Sequence, residues 1–252
     1  MNLYKHQKEA IQFAIENDGK CALFHDPGLG KTRTSLEIYK YFKIGNPKLK
    51  LLVVCPLSLV NSAWGEDIAR FTSFSYVPFK ELKHSLPDII VINYEALISK
   101  KNLPQIQKLI LNHEFMCVLD ESSRLKNNKS ITTKTLLNLS DFLKYKIIAS
   151  GTPMPNSEME LWGQISFICE DVFPRSFYAF RNTYFHLQRN GQILQGSFMS
   201  KQAMRDVLSK GWKYTITAEN RETRMNKIKP FTHLVKKADA LEGRKEEPAV
   251  GR

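Results

Sequence analysis

Five short apolar runs alternate with longer stretches of mixed polarity over the first 160 residues. The runs are rich in Val, Ile, Leu and Phe and span residues 21–26, 51–56, 88–93, 115–120 and 145–150. Runs of this length predict strands buried on both faces, as in a parallel sheet. Helical patterns between them cover residues 32–42, 58–71, 103–111 and 130–139. The alternation predicts a doubly wound α/β domain, which binds ligands beyond the carboxyl ends of its strands.

The pattern changes after about residue 165. The stretch 173–185 is aromatic and basic, and Asn190-Gly191 lies between two extended pieces, which predicts a type I′ hairpin. Residues 200–212 and 220–229 have helical patterns. The sequence therefore predicts three regions: an α/β domain over 1–165, a mainly helical, basic extension with a small hairpin over 166–240, and a flexible tail over 241–252.

Charge and composition narrow the classes of partner. The net charge is +12, of which residues 1–160 contribute +5 and the shorter remainder +7. Such an excess favours a polyanionic partner, usually nucleic acid, although a basic protein without such a partner has the same composition. The four cysteines form no C-x-x-C pair, which argues against a zinc site or disulfide scaffold. We expect no signal peptide and no membrane span, because no apolar run is long enough.

The stretch FHDPGLGKTRTS, residues 24–35, matches the end of the phosphate-loop pattern G-x-x-x-x-G-K-[ST], but His25 replaces the first glycine. Gly28 and Gly30 would let backbone N–H groups approach phosphate oxygens. Lys31 would reach the β- and γ-phosphates, and Thr32 would hold Mg²⁺. The alternative is a glycine-containing turn between a strand and a helix, with a lysine there by chance.

Two acidic residues, Asp120 and Glu121, follow the fourth apolar run. At a strand end, one carboxylate can hold Mg²⁺ and its neighbour can accept a proton from water. The alternative is a pair of solvated acids. The turn at Ser150–Pro153 is weak evidence by itself. On a predicted amphipathic helix, the amide of Gln7 could bind the edge of adenine, or it could simply be solvated.

Taken in order, these stretches resemble the first motor lobe of superfamily 2 helicases, and more narrowly the Swi/Snf branch of DNA translocases. The matching stretches are GLGKT, CPLS followed by Trp64, VINYEAL, DESSRLKN and SGTPMPN followed by ELW. Residues 228–241 resemble the stretch that leads toward the second lobe. The resemblance covers nearly the whole chain. It implies a RecA-like P-loop NTPase lobe with a central, mostly parallel sheet flanked by helices.

The resemblance also implies roles for individual residues. Glu121 would be the general base, with Lys31 and Asp120 as its catalytic partners, and Thr32 and Asp120 would bind Mg²⁺. The implied ATP-binding residues are His6, Gln7, Pro27, Gly28, Leu29, Gly30, Lys31, Thr32 and Arg33. The implied residues for DNA contact and coupling are Pro56, Leu57, Ser58, Asn93, Tyr94, Ser150, Gly151, Thr152 and Pro153. The implied partners are duplex DNA, bound without sequence preference, and a second RecA-like lobe.

The sequence departs from the branch at some positions. Ser122-Ser123 replace the usual Ala-His or Ala-Asp, and Pro27 stands where Met is common. The arginine fingers belong to the second lobe, so we expect this chain alone to hydrolyse ATP poorly. A non-catalytic nucleotide- or DNA-binding module would share the same residues. Another P-loop enzyme, such as a small-molecule kinase, would not explain the ordered series. The short lobe favours a cytoplasmic protein of bacterial or phage origin, or a nuclear one if the source is eukaryotic.

Overall fold

The computed structural model describes residues 2–83, 85–194 and 200–240. One unit combines the chain up to Cys169 with the chain from Phe231 onward, and Glu170–Pro230 forms a second unit. The predicted boundary after residue 165 differs from this division for two reasons. The last helix of the first unit continues to Ile168, and a strand at Thr232–Val235 returns to the first unit's sheet.

Within the described residues, ten strands form two sheets. The strands are β1 Lys20–His25, β2 Lys50–Cys55, β3 Tyr76–Pro78, β4 Ile89–Asn93, β5 Phe115–Asp120, β6 Tyr145–Ala149, β7 Phe185–Arg189, β8 Gln192–Ile193, β9 Lys213–Ile216 and β10 Thr232–Val235. The first unit holds a seven-stranded parallel sheet in the order β10-β1-β6-β5-β2-β4-β3. The fold class predicted from the sequence is confirmed.

The helices lie between these strands along the chain. They are α1 Lys5–Glu16, α2 Lys31–Gly45, α3 Glu66–Phe71, α4 Tyr94–Leu97, α5 Leu103–Asn112, α6 Ile131–Ser140, α7 Leu161–Ile168, α8 Phe177–Tyr184, α9 Lys201–Ser209 and α10 Ala218–Ile228. No helix among the described residues is long and apolar enough to cross a membrane.

All five predicted strands are present, with ends within one residue of the prediction. β5 is buried along its whole length, as expected for a strand in the middle of a parallel sheet. The two outer strands were not predicted. β3 is only three residues long and ends in Pro78, and β10 has the mixed sequence THLV. Edge strands carry polar residues and proline because only one side of each is paired, which weakens their sequence signal.

The predicted helix over residues 58–71 is present as one continuous helical stretch that consists of three helix types. A 3₁₀ turn at Leu57–Leu59 leads into a wider π-helical turn at Val60–Gly65 and then into α3. The π-helical turn carries Trp64, which is buried. Wide turns of this kind often occur at functional sites, because they redirect a side chain.

The second unit contains an antiparallel sheet in the order β8-β7-β9, together with α8, α9 and α10. Asn190 and Gly191 both have positive φ, at 49° and 78°, which confirms the predicted hairpin turn. A cluster of aromatic rings, including Phe173, Phe180 and Tyr184, forms its core. The predicted tail at 241–252 lies outside the described residues.

Candidate active site

The phosphate-loop sequence forms the connection between β1 and α2. Gly28 and Gly30 both have positive φ, at 85° and 72°, a conformation that glycine adopts without steric cost. A Cβ on Gly30 would lie 2.5 Å from Nε2 of Gln7, whereas one on Gly28 would meet nothing within 4 Å. The loop is therefore packed at Gly30 and open above Gly28, where a ligand can approach its backbone.

Lys31 begins α2, directly behind this loop. Its Nζ donates hydrogen bonds to the carbonyl oxygens of His25, at 2.9 Å, and Asp26, at 3.5 Å. An ammonium group held at a helix N-terminus suits an anionic ligand, because the helix dipole and the unpaired N–H groups favour negative charge there. Thr32 follows on the same turn and is partly exposed, so its hydroxyl is available at the loop.

Helix α1 supports the loop from one side. His6 and Gln7 are both buried. A ring nitrogen of His6, Nε2, lies 3.0 Å from the carbonyl oxygen of Leu29, so this nitrogen carries the proton and donates it. Gln7 accepts from the Tyr4 backbone at 3.0 Å and donates to Gly30 O at 3.4 Å. The structure therefore places both residues against the phosphate loop.

The side chains of Arg33 and Leu29 are less exposed than expected for ligand-binding residues, the role that the resemblance implies for them. Arg33 is buried, stacks on the ring of Phe71 at 4.5 Å and donates to the carbonyl of Asn2. Leu29 is also buried and packs in a small apolar cluster with Val235 and Ala240. The Arg33 guanidinium is therefore engaged within the protein, and Leu29 can offer a ligand only its main chain.

Asp120 ends β5 and is buried, with 6% of its surface exposed. Its carboxylate accepts hydrogen bonds from Nε1 of Trp64, at 2.9 Å, and from the backbone of Glu121, at 3.0 Å. Burial raises the pKa of Asp120, and the Trp64 hydrogen bond and the nearby charge of Lys31 oppose the rise. The group is a desolvated acid close to a cation, a setting suited to a bound divalent ion.

Glu121 begins the turn after β5 in the left-handed region, at φ 52° and ψ 54°. For a residue with a Cβ this conformation is strained, and such strain collects at functional sites. Burial raises the pKa of Glu121, the charge of Asp120 adds to the rise, and Lys31 and a Ser150 hydrogen bond oppose it. Because Lys31 acts electrostatically on both carboxylates, the phosphate loop and the acidic pair lie at one site.

The buried side-chain amide of Gln164 connects this turn to the SGTP stretch, a contact that no sequence motif indicates. Ser122 donates to Oε1 of Gln164 at 2.7 Å, and Nε2 of Gln164 donates to Pro153 O at 2.6 Å. Gly151 in the same stretch is packed against the phosphate loop, because a Cβ there would lie 2.9 Å from Cδ of Pro27. Three stretches that are distant in sequence therefore meet at the carboxyl edge of the sheet.

The residues implied for DNA contact follow the carboxyl ends of β2, β4 and β6. Leu57 and Ser58 are exposed, and so is Thr152. Ser150 is buried, and Tyr94 is buried with its hydroxyl donating to Asp120 O at 2.8 Å. Tyr94 thus supports the turn that carries Asp120 and Glu121, which we call the carboxylate turn (residues 120–126). The sequence did not suggest this role.

Asn93 caps α4 by accepting from the Ala96 backbone at 2.7 Å. Together with Leu57 it lines a cavity of about 590 Å³, which also has Lys80 and Lys101 in its wall. Two lysines beside exposed residues at this edge of the sheet would attract a polyanion.

The residues of the site could hold Mg²⁺ only together with the phosphate groups of a bound ligand. Within the described part of the chain, no group of three or more His, Cys, Asp and Glu side chains could hold a metal ion. Thr32 and Asp120 could supply two oxygen ligands, and Mg²⁺ commonly completes its shell with substrate phosphates and water. The open loop above Gly28 and the buried carboxylate of Asp120 both fit such a group.

Comparison with known proteins agrees with this arrangement. The sequence profile of the family described as SNF2-related domain matches residues 6–211. A Caenorhabditis elegans homolog of SWI/SNF-related matrix-associated actin-dependent regulator of chromatin subfamily A-like protein 1 is 34% identical over 185 residues, or 72% of this chain and 26% of that protein. The DNA repair and recombination protein RAD54B of Homo sapiens is 28% identical over 207 residues, or 73% of this chain and 22% of that protein.

A solved structure has the same fold. The structure titled Sulfolobus solfataricus SWI2/SNF2 ATPase core in complex with dsDNA superimposes with a TM-score of 0.71 at 23% identity. The match covers 96% of this chain and 46% of the solved chain. This chain therefore spans about a quarter of the two relatives and less than half of that ATPase core.

Proposed function

The chain belongs to the SNF2-related domain family, and from that premise we propose that it is the ATP-binding lobe of a DNA-dependent ATPase that moves along duplex DNA. The observation that carries the proposal is the convergence of Lys31, Asp120 and Glu121 at one edge of the sheet. β1 and β5 both pair in parallel with β6, so the phosphate loop and the acidic pair follow neighbouring strand ends, and the charge of Lys31 acts on both carboxylates. A lysine behind an open glycine loop, near one buried and one half-buried acid, is the arrangement that ATP hydrolysis requires.

Each of these residues has a specific role in the proposed reaction. Backbone N–H groups at Gly28 and Gly30 bind phosphate oxygens, and Lys31 exchanges its bonds with loop carbonyls for bonds with the β- and γ-phosphates. Asp120 and Thr32 hold Mg²⁺, which when bound neutralises charge on the phosphate oxygens. Glu121 accepts a proton from the attacking water, and its raised pKa improves it as a base.

His6 and Gln7 would recognise the adenine. Both side chains already contact the phosphate loop, so adenine binding at α1 and phosphate binding at the loop would reinforce each other. Pro27 and Leu29 would contribute main-chain contacts, and Arg33 would support the first turn of α2 from its place beside Phe71.

The proposed DNA contacts lie along the same edge of the sheet. Leu57, Ser58 and Thr152 are exposed there, with Lys80 and Lys101 nearby. The backbones of Pro56, Asn93, Tyr94 and Pro153 would add further contacts, and Ser150 and Gly151 would transmit the state of the nucleotide. Contacts of this type recognise phosphates, so binding should be independent of sequence and weaken with salt.

Full activity would need a second lobe, which supplies arginine fingers worth about 10³–10⁵ in rate. This chain by itself should bind ATP·Mg weakly and hydrolyse it poorly. Robust DNA-stimulated turnover by this chain alone would contradict that expectation. The relatives named above are eukaryotic, so they favour a nuclear setting and give no support to the bacterial or phage origin expected from the sequence.

The test compares two variants. Lys31→Ala should abolish binding of a fluorescent ATP analogue with Mg²⁺, because it removes the cation that contacts the phosphates. Glu121→Gln should keep that binding and, when the second lobe is present, reduce hydrolysis by at least about a hundredfold. Unchanged hydrolysis in Glu121→Gln would make the general-base assignment wrong. If the unmodified chain binds DNA and nucleotide but does not hydrolyse ATP with the second lobe present, it is a non-catalytic module.

A further inference from the structure

The edge strand β10 follows β1 by more than 200 residues in the sequence and pairs with it directly before the phosphate loop. The two strands are parallel and in register from Ala22 opposite Thr232 to His25 opposite Val235. The pairing therefore ends at the residue where the loop begins. Any contact that β10 makes at this end acts on the first residues of the phosphate loop.

The first such contact joins two histidines. Nε2 of His25 lies 2.8 Å from Nδ1 of His233, and His25 is fully buried. Nδ1 of His25 has no hydrogen-bond partner among the described residues. A buried N–H without a partner costs more than a bare lone pair, so the proton of His25 belongs on Nε2. His25 therefore donates this hydrogen bond and His233 accepts it.

Two further contacts hold the next loop residue, Asp26. Its backbone N–H donates to Val235 O at 3.0 Å. Its carboxylate accepts from the backbone N–H of Lys237 at 2.8 Å, where residues 237–240 begin a helical turn. Leu29, later in the same loop, packs against Val235 and Ala240. Residues 232–240 thus contact three residues of the phosphate loop, His25, Asp26 and Leu29.

We propose that His233 is a positioning residue of the nucleotide site, which holds His25 and, with the 235–237 backbone, Asp26 in the geometry that phosphate binding requires. This inference rests on the proposed function. His25 carries the carbonyl that accepts from Lys31, so the His233 contact also fixes the starting position of the phosphate-binding lysine. His25 occupies the place of the first glycine in the generic phosphate loop, and in this chain that place connects the loop to β10.

The decisive variants separate the hydrogen bond from the packing of the ring. His233→Phe keeps an aromatic ring beside Phe13, which His233 contacts at 5.5 Å, but it lacks the acceptor. His233→Asn loses the ring but can place its amide oxygen near the position of Nδ1. Leu234→Ala is the matched control, because Leu234 is on the same strand and 60% exposed.

The readouts are the Kd of a fluorescent ATP analogue with Mg²⁺, hydrogen exchange of the backbone amides of residues 26 and 28–31, and the thermal unfolding midpoint. In the full chain, His233→Phe should weaken nucleotide binding about fivefold to tenfold and speed exchange in the loop. His233→Asn and Leu234→Ala should stay within about twofold of the unmodified chain. If the Asn variant is as weak as the Phe variant, ring packing and not the hydrogen bond positions the loop, and the assignment is overturned.

A second variant acts on the same loop without touching the histidines. Lys237→Pro removes the N–H that Asp26 accepts, and proline is well tolerated in the first turn of a helix. It should weaken nucleotide binding by a similar factor, and it decides the matter if His233→Phe fails to fold. If the unmodified chain binds no nucleotide, the proposed function fails. If Lys31→Ala abolishes binding while His233→Phe and Lys237→Pro both bind normally with unchanged loop exchange, only the positioning role is overturned.

Discussion

The phosphate loop and the carboxylate turn, residues 120–126, lie at the same edge of one sheet but are built in different ways. Both lie at the ends of buried parallel strands, β1 and β5, and both contain residues with positive φ. In the phosphate loop the positive φ values belong to Gly28 and Gly30. In the carboxylate turn the positive φ belongs to Glu121, which has a full side chain.

The means of support differ as well. The phosphate loop is held mainly through its backbone: the carbonyls of His25, Leu29 and Gly30 all accept hydrogen bonds. The carboxylate turn is held mainly through buried side chains, with Trp64 on Asp120 and Gln164 on Ser122. The phosphate loop therefore depends on glycines, which lack a side chain, whereas the carboxylate turn depends on side chains contributed by residues distant in sequence. Three measurements would sharpen or break this comparison.

The largest effect is expected at Gln164, the side chain on which the carboxylate turn depends. Gln164→Leu keeps the volume but leaves the Ser122 hydroxyl and the Pro153 carbonyl without their partner, at a cost of about 2–3 kcal/mol in free energy of unfolding. Urea denaturation measures it. In a double-mutant cycle, Ser122→Ala should cost much less in the Gln164→Leu background than by itself. If the two losses simply add, the contact between the two residues contributes nothing.

The second effect is a response to acid that differs in sign between the regions. Burial, with the neighbouring His233, His6 and Lys31, lowers the pKa of His25 to about 3. Below the ordinary histidine pKa of about 6.5, the unfolded chain therefore binds a proton that the folded chain does not. The free energy of unfolding should fall by about 1–2 kcal/mol from about pH 7.5 to about pH 5.5.

His25→Gln should remove most of this loss, whereas a change at the exposed His113 to Gln should leave it in place. Burial likewise lowers the pKa of His233, so a small loss should remain. The carboxylate turn has the opposite sign, because the raised pKa values of Asp120 and Glu121 mean that the folded chain takes up protons first as the pH falls toward their ordinary range. An equal acid loss in His25→Gln and the unmodified chain would show that the histidine pair does not respond as expected.

The smallest effect is expected at Trp64. Trp64→Phe removes the hydrogen bond that holds the Asp120 carboxylate in place and lowers its pKa. That pKa should rise further, and the carboxylate, held less firmly, should bind Mg²⁺ less well. The Mg²⁺ concentration that supports half-maximal binding of the ATP analogue should rise about threefold. The free energy of unfolding should fall by about 1 kcal/mol. Tyr94→Phe is the control, since its hydroxyl contacts only the Asp120 carbonyl. A larger Mg²⁺ effect in Tyr94→Phe than in Trp64→Phe would contradict this assignment.

The comparison also explains how much the sequence could predict. Gly28 and Gly30 are visible in the sequence because their conformation needs glycine, and the apolar runs are visible because both faces of their strands are buried. β10 and Gln164 are not visible. β10 is only four residues long and its sequence, THLV, has neither an apolar run nor a strand-like alternation, and a glutamine within a helix is usually solvated. Only the register of β10 beside β1, and the approach of α7 to the carboxylate turn, give these residues their partners.

The sequence by itself determined the parallel sheet, the order of its strands along the chain, and the candidate residues for phosphate and magnesium. Those features depend on local burial patterns and on short motifs, which one stretch of chain contains completely. Only the tertiary structure decided that His233 supports the residue in place of the first glycine, that Gln164 joins two turns, and that Tyr94 faces inward. Each of these depends on contacts between residues 26 to 208 positions apart, and no local pattern encodes such a contact.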